Sequence, residues 1–118
     1  MSHMQAVTID DHFVGKAKAV REAYDLILRC ARQFGPVEVQ PKKTSIHLAR
    51  RSAFAGVATR KDALILTIKS SERVNDVRVH RAEQTSANRW HLEVRLRTPD
   101  EVDERIRAWL KAAYELAD

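Results

Sequence analysis

Between two amphipathic helical patterns, residues 37–97 alternate apolar and polar side chains and are interrupted only by short polar turns, which constrains the fold more than any other feature. A period of two marks strands. Joining parallel strands takes a crossover of a dozen or more residues, usually a helix, and no gap between these segments holds one. The strands are therefore predicted to run antiparallel. They read as residues 37–40, cut short by Pro41, then 44–50, 52–59, 63–69, 77–81 and 90–97. Arg60-Lys61-Asp62 predicts a tight hairpin, whereas residues 70–76 and 82–89 read as longer connections.

The flanking helices follow from their apolar spacing. Phe13, Ala17, Val20, Tyr24, Ile27, Leu28, Ala31 and Phe34 recur in steps of three and four, with Asp10 and Asp11 placed to cap the start. Gly15 is expected to break the first turn from the rest, and Gly35-Pro36 stops the helix. Near the other end, Thr98-Pro99-Asp100-Glu101 has the form of a capping box with proline at the first helical position. Val102, Ile106, Trp109, Leu110, Ala113 and Leu116 then form one stripe. The expected class is α+β: an N-terminal helix, a four- to five-stranded antiparallel meander sheet and a C-terminal helix, both helices on one face of the sheet.

Strand parity predicts what the two faces carry. Leu92, Val94 and Leu96 share one face, so His91, Glu93, Arg95 and Arg97 share the other. Ile46 and Leu48 oppose Ser45 and His47 in the same way, and Val77 and Val79 oppose Arg78 and His80. Residues 63–68 are apolar on both parities, as a central strand would be. Phe54 and Gly56, among Ala53, Ala55 and Val57, predict a shallow depression on the open face. Trp90 and Trp109 read as core residues by parity and stripe.

A chain of 118 residues, 44% of them hydrophobic, is the size of one domain, expected over residues 5–118. Met1 to Met4 read as the scar of a cloning site, which removes His3 from any site. No apolar run approaches the roughly 20 residues a bilayer requires, and no signal peptide is recognisable, so a cytoplasmic protein without a membrane partner is expected. Cys30 is the only cysteine and lies within the helical stripe, where a buried structural thiol is expected. The net charge of +5 is uneven. Residues 37–97 hold thirteen basic against six acidic residues, a net +7, whereas residues 98–118 hold three against six, a net −3. A basic sheet favours an acidic partner, nucleic acid or another anion.

The candidate ligand-binding residues are accordingly Lys42, Lys43, His47, Arg60, Lys61, Arg78, His80 and Arg95. Three readings follow. The first is a non-catalytic module that takes an anionic ligand or nucleic acid on the basic sheet face. The second is a homodimerisation or protein-interaction domain using an apolar patch at Ala53, Phe54, Ala55 and Ile65. The third is an enzyme working from His47, His80, His91 and Glu93, a face that lacks any H-E-x-x-H or paired-cysteine spacing. Neither a phosphate-cradling glycine loop nor a nucleophile elbow occurs, so no cofactor, metal site or catalytic residue is assigned.

Several ordered segments resemble a known family. These are Lys42-Lys43-Thr44-Ser45-Ile46-His47-Leu48, the Ser52-Ala53-Phe54-Ala55 strand, Arg60-Lys61, and the closing T-P-D-E-V-D-E and W-L-K-A-A-Y runs. Together, from His12 to Leu116, they are similar to the domain-of-unknown-function family numbered 5655. The resemblance implies a small α+β module found alone or at the C-terminal end of larger bacterial proteins, some with nuclease-like domains. It carries over no catalytic residue, and it places Lys42, Lys43, Phe54, Arg60 and Lys61 in family-like segments. The family also implies a histidine leading into the last strand, where Trp90-His91 stands.

Overall fold

A computed structural model describes residues 7–117; the cloning-scar reading at Met1 to Met4 lies outside them. Among the described residues the first element is a 3-10 turn, Asp10–Phe13, followed by a break at Gly15, whose φ of +74° suits glycine. Helix α1 then runs Lys18–Arg32. Six strands follow: β1 Glu38–Pro41, β2 Ile46–Ala49, β3 Ala53–Thr59, β4 Leu64–Ser70, β5 Val79–Ser86 and β6 Arg89–Leu96. The capping box at Thr98 and Glu101 forms as its sequence predicts, but it encloses only a 3-10 turn, Pro99–Glu101. Helix α2 starts afterwards, Glu104–Leu116, and its N-cap is Asp103, which accepts from the backbone N–H groups of Arg105 and Ile106.

All pairings are antiparallel, as the short turns require, but the sheet has six strands rather than four or five and is not a simple meander. Its order is β1-β2-β3-β4-β6-β5. The meander holds through β4; the chain then skips a position to build β5 at the edge and returns through β6 between them. Residues 82–89 are therefore not a long connection. β5 continues to Ser86, and Ala87-Asn88 turns tightly into β6.

One parity of the sheet is buried throughout. Ile46, Leu48, Ala55, Val57, Leu64, Leu66, Ile68, Val94 and Leu96 form a single core with Val20, Ala23, Tyr24 and Ile27 of α1 and Ile106, Leu110, Ala113 and Tyr114 of α2. Both helices thus bury their stripes against the same residues. Cys30 is buried there as well, whereas Trp90 and Trp109 are only half-buried. The hydroxyl of Tyr24 has no hydrogen-bond partner among the described residues, and burial pushes its phenol up from the ordinary value.

Two expectations about direction fail for identifiable reasons. A β-bulge on β3 lets Leu48 pair with Ala55 and Ala49 with Ala53, leaving Phe54 as the extra residue. The bulge turns Phe54 into the core, 1% exposed, with its ring edge-on to Tyr114 at 5.3 Å. The proposed apolar patch at Phe54 and Ala55 is therefore not a surface. Val77, predicted to point inward, is 97% exposed because residues 71–78 form a loop before β5 begins.

Candidate anion-binding surface

The turns Lys42–Ser45 and Arg60–Ala63 lie at the same end of the sheet, because β1, β2, β3 and β4 are consecutive antiparallel neighbours. Each is closed by a backbone hydrogen bond of 2.7 Å, Lys42 N–H to the Ser45 carbonyl and Arg60 N–H to the Ala63 carbonyl. A buried histidine joins them. His12 Nε2 donates to the Lys42 carbonyl at 2.8 Å, and the His12 carbonyl accepts from the Thr59 hydroxyl at 2.6 Å. Five residues further along, Ala17 N–H donates to the Lys61 carbonyl at 2.8 Å, which brings Lys16 and Lys18 to the same corner.

Lys42, Lys43, Arg60 and Lys61 are all exposed, and among the described residues none of them, nor Lys16 or Lys18, makes an ion pair. Asp62 at the tip of the second turn is an acidic neighbour in sequence; Asp10 is taken up by Arg21 at 2.8 Å. The corner is thus a fixed cluster of cations. Sequence reasoning found four of its members and missed Lys16, Lys18 and the joining role of His12. Nothing in the local spacing signals a contact between residues 12–17 and two hairpin turns thirty to fifty positions away.

The remaining candidates are divided. Arg78 does not belong to the open face: it donates to Asp103 at 2.7 Å, lies near Asp76 at 3.7 Å and stacks over Trp109 at 5.6 Å, so it pins the loop before β5 to the start of α2. Arg105 completes that clamp with a 2.6 Å bond to Asp76. Backbone and guanidinium hydrogen bonds hold the Asp76 carboxyl below the ordinary carboxylate range, and those of Ile106 and Arg78 do the same for Asp103. Arg50, a third basic pair with Arg51 in sequence, sits at the other end of the sheet, bonded to the Tyr114 carbonyl and lying over its ring.

His47 and Arg95 are on the open face as expected, in the rows His47–Gly56–Thr67–Glu93 and Ala58–Ile65–Arg95. His80 occupies a bulge in β5, 3.5 Å from Glu93. Glu93 also faces Arg81 at 3.9 Å, and Arg81 holds Glu83 at 3.1 Å, so the β5 side of the face is charge-balanced rather than uniformly basic. His47 and Glu93 stand three strand spacings apart, roughly 14 Å. No group of three or more His, Cys, Asp or Glu that could hold a metal ion occurs among the described residues.

The family model for a domain of unknown function, DUF5655, matches residues 9–117. The chain belongs to the DUF5655 family. No curated protein and no solved structure matches it. In this DUF5655 chain the matched span takes in both helices, all six strands and the turns that carry Lys42, Lys43, Arg60 and Lys61. No helix among the described residues is long and apolar enough to cross a membrane.

Proposed function

We propose that the domain is a non-catalytic binding module that takes a phosphate-bearing polymer, nucleic acid by preference, on the basic corner of the sheet. The observation that carries this reading is the set of unpaired cations on two turns held side by side by His12. Contacts from lysine and arginine to phosphate oxygens position a polymer without carrying sequence information. Among the described residues the open face presents no exposed aromatic ring on which single-stranded bases could stack, so contact with the backbone rather than sequence readout is the mode it supports. A bacterial cytoplasm, a reducing compartment that holds nucleic acid, is the setting that goes with this reading.

The test is titration of labelled single- and double-stranded oligonucleotides at two salt concentrations. Four phosphate contacts on duplex DNA would give a slope of log affinity against log salt of about −3.6, and Lys42→Glu/Lys43→Glu should reduce its magnitude by about 2. Salt-independent binding, or none at low salt, would remove the proposal. The second reading, a homodimer or protein partner over the open face, draws on the partial exposure of Ala53, Ala58 and Ile65. Sedimentation decides it: a concentration-dependent dimer abolished by Ile65→Glu would favour it over the first. An enzyme on the histidine face has less support, because neither His47 nor His91 hydrogen-bonds to a side chain among the described residues.

A further inference from the structure

The open face contains a depression of about 260 Å³ that the basic corner does not account for. Its floor is made of Ala53, Gly56 and Ala58, and its walls include His47, Lys69 and His91. Gly56 is the informative residue. It lies within β3, has no positive φ, and a Cβ built on it would meet nothing closer than His47 Cδ2 at 3.7 Å. Neither backbone conformation nor crowding requires glycine at this position. A glycine inside a central strand nevertheless costs stability relative to alanine, and its effect is to keep the floor open.

The walls carry the complementary charge. Lys69 makes no ion pair among the described residues, while Glu83, which pairs across the strands with His91, is drawn to Arg81 at 3.1 Å, and Glu93 is drawn to His80 and Arg81. His47 on β2 and His91 on β6 bring imidazole rings to it from opposite sides of β3 and β4. Small apolar floor, one free ammonium and two imidazoles fit a flat apolar body bearing one anionic group. The volume falls below the ~300–1,000 Å³ of sites for drug-sized molecules, which limits the body to a ring system of one or two rings.

We infer that this depression is a binding site for a small aromatic carboxylate, distinct from the polyanion corner. The test uses indole-3-acetate, its neutral amide and acetate, followed by two-dimensional NMR of the Gly56 amide and the His47 and His91 ring resonances. The acid should shift these signals with saturation at millimolar concentration or below, the amide should bind at least tenfold more weakly, and acetate should produce no saturable shift. Gly56→Leu, which fills the floor, should abolish the response, and Lys69→Gln should weaken it about tenfold. Lys42→Glu/Lys43→Glu should leave it unchanged, so failure of oligonucleotide binding does not bear on this site. Equal binding of acid and amide, an unaffected Lys69→Gln variant, a loss in the Lys42→Glu/Lys43→Glu variant, or no shift at Gly56 would each overturn the inference.

Discussion

Two glycines of this chain do opposite work, and single substitutions separate them. Gly35 has φ of +149°, and a Cβ there would collide with the hydroxyl of Tyr114, which donates to the Pro36 carbonyl at 3.0 Å. Gly35→Ala is expected to lower stability by about 1–3 kcal/mol, through backbone strain and displacement of that ring. Gly56→Ala meets neither obstacle and should raise stability by about 0.5–1 kcal/mol. Urea denaturation of the two variants measures both, and a destabilised Gly56→Ala would mean that the strand itself needs this glycine. His12 belongs to the same scale. Its ring bond to the Lys42 carbonyl is the link between the two basic turns, so His12→Ala should cost about 1–2 kcal/mol and weaken oligonucleotide binding although it removes no exposed charge. Unchanged affinity in a folded His12→Ala protein would show that the turns do not need to be held together.

Among elements, the loop before β5 and the first turn of α2 are tied by carboxylates that are easier to keep ionised in the folded chain than in the unfolded one. Asp76 and Asp103 are both held below the ordinary range, and Asp11 is as well, through the backbone N–H of Thr8. Groups depressed in this way contribute stability above their unfolded pKa and lose it as pH falls through the folded value. Stability should therefore be level above about pH 5 and fall below about pH 4, and Asp76→Asn should flatten that fall. A variant with an acid profile as steep as the parent's would exclude the clamp as its source. Element type was largely legible beforehand, because period is local: both helices, the break at Gly15 and the inward set Ile46, Leu48, Leu92, Val94 and Leu96 follow from spacing alone, whereas the expected caps do not cap the helices, since Asp10 and Asp11 fall in the 3-10 turn and α1 starts after Ala17 with no side-chain cap. What escaped depended on pairing. The bulge that turns Phe54 inward is set by how β2 and β3 align, and the place of Arg78 is set by Asp103, twenty-five residues away. The candidate site divided on the same line, its hairpin-turn cations readable from neighbouring residues and its partners from the N-terminal segment not.

Across the whole molecule, the sheet ends on two unlike edges. β1 is four residues long and finishes at Pro41, whereas β5 is eight residues long, mostly exposed, and bulged at His80 and near Thr85. Charged side chains, bulges and proline all discourage edge-to-edge association. Protection from hydrogen exchange should be greatest in β2, β3, β4 and β6, whose strands have neighbours on both sides, and least in β1 and β5. Uniform protection across the six strands would show that the sheet opens only as a unit. The order β4-β6-β5 also bears on how such a sheet is completed as the chain is made. β5 leaves the ribosome before the strand that will separate it from β4, so it has no place beside the growing sheet until residues 89–96 follow. The first four strands can zip up one hairpin after another, but β5 and β6 join the sheet with the later strand innermost, and helix α2, which seals the core over them, arrives later still.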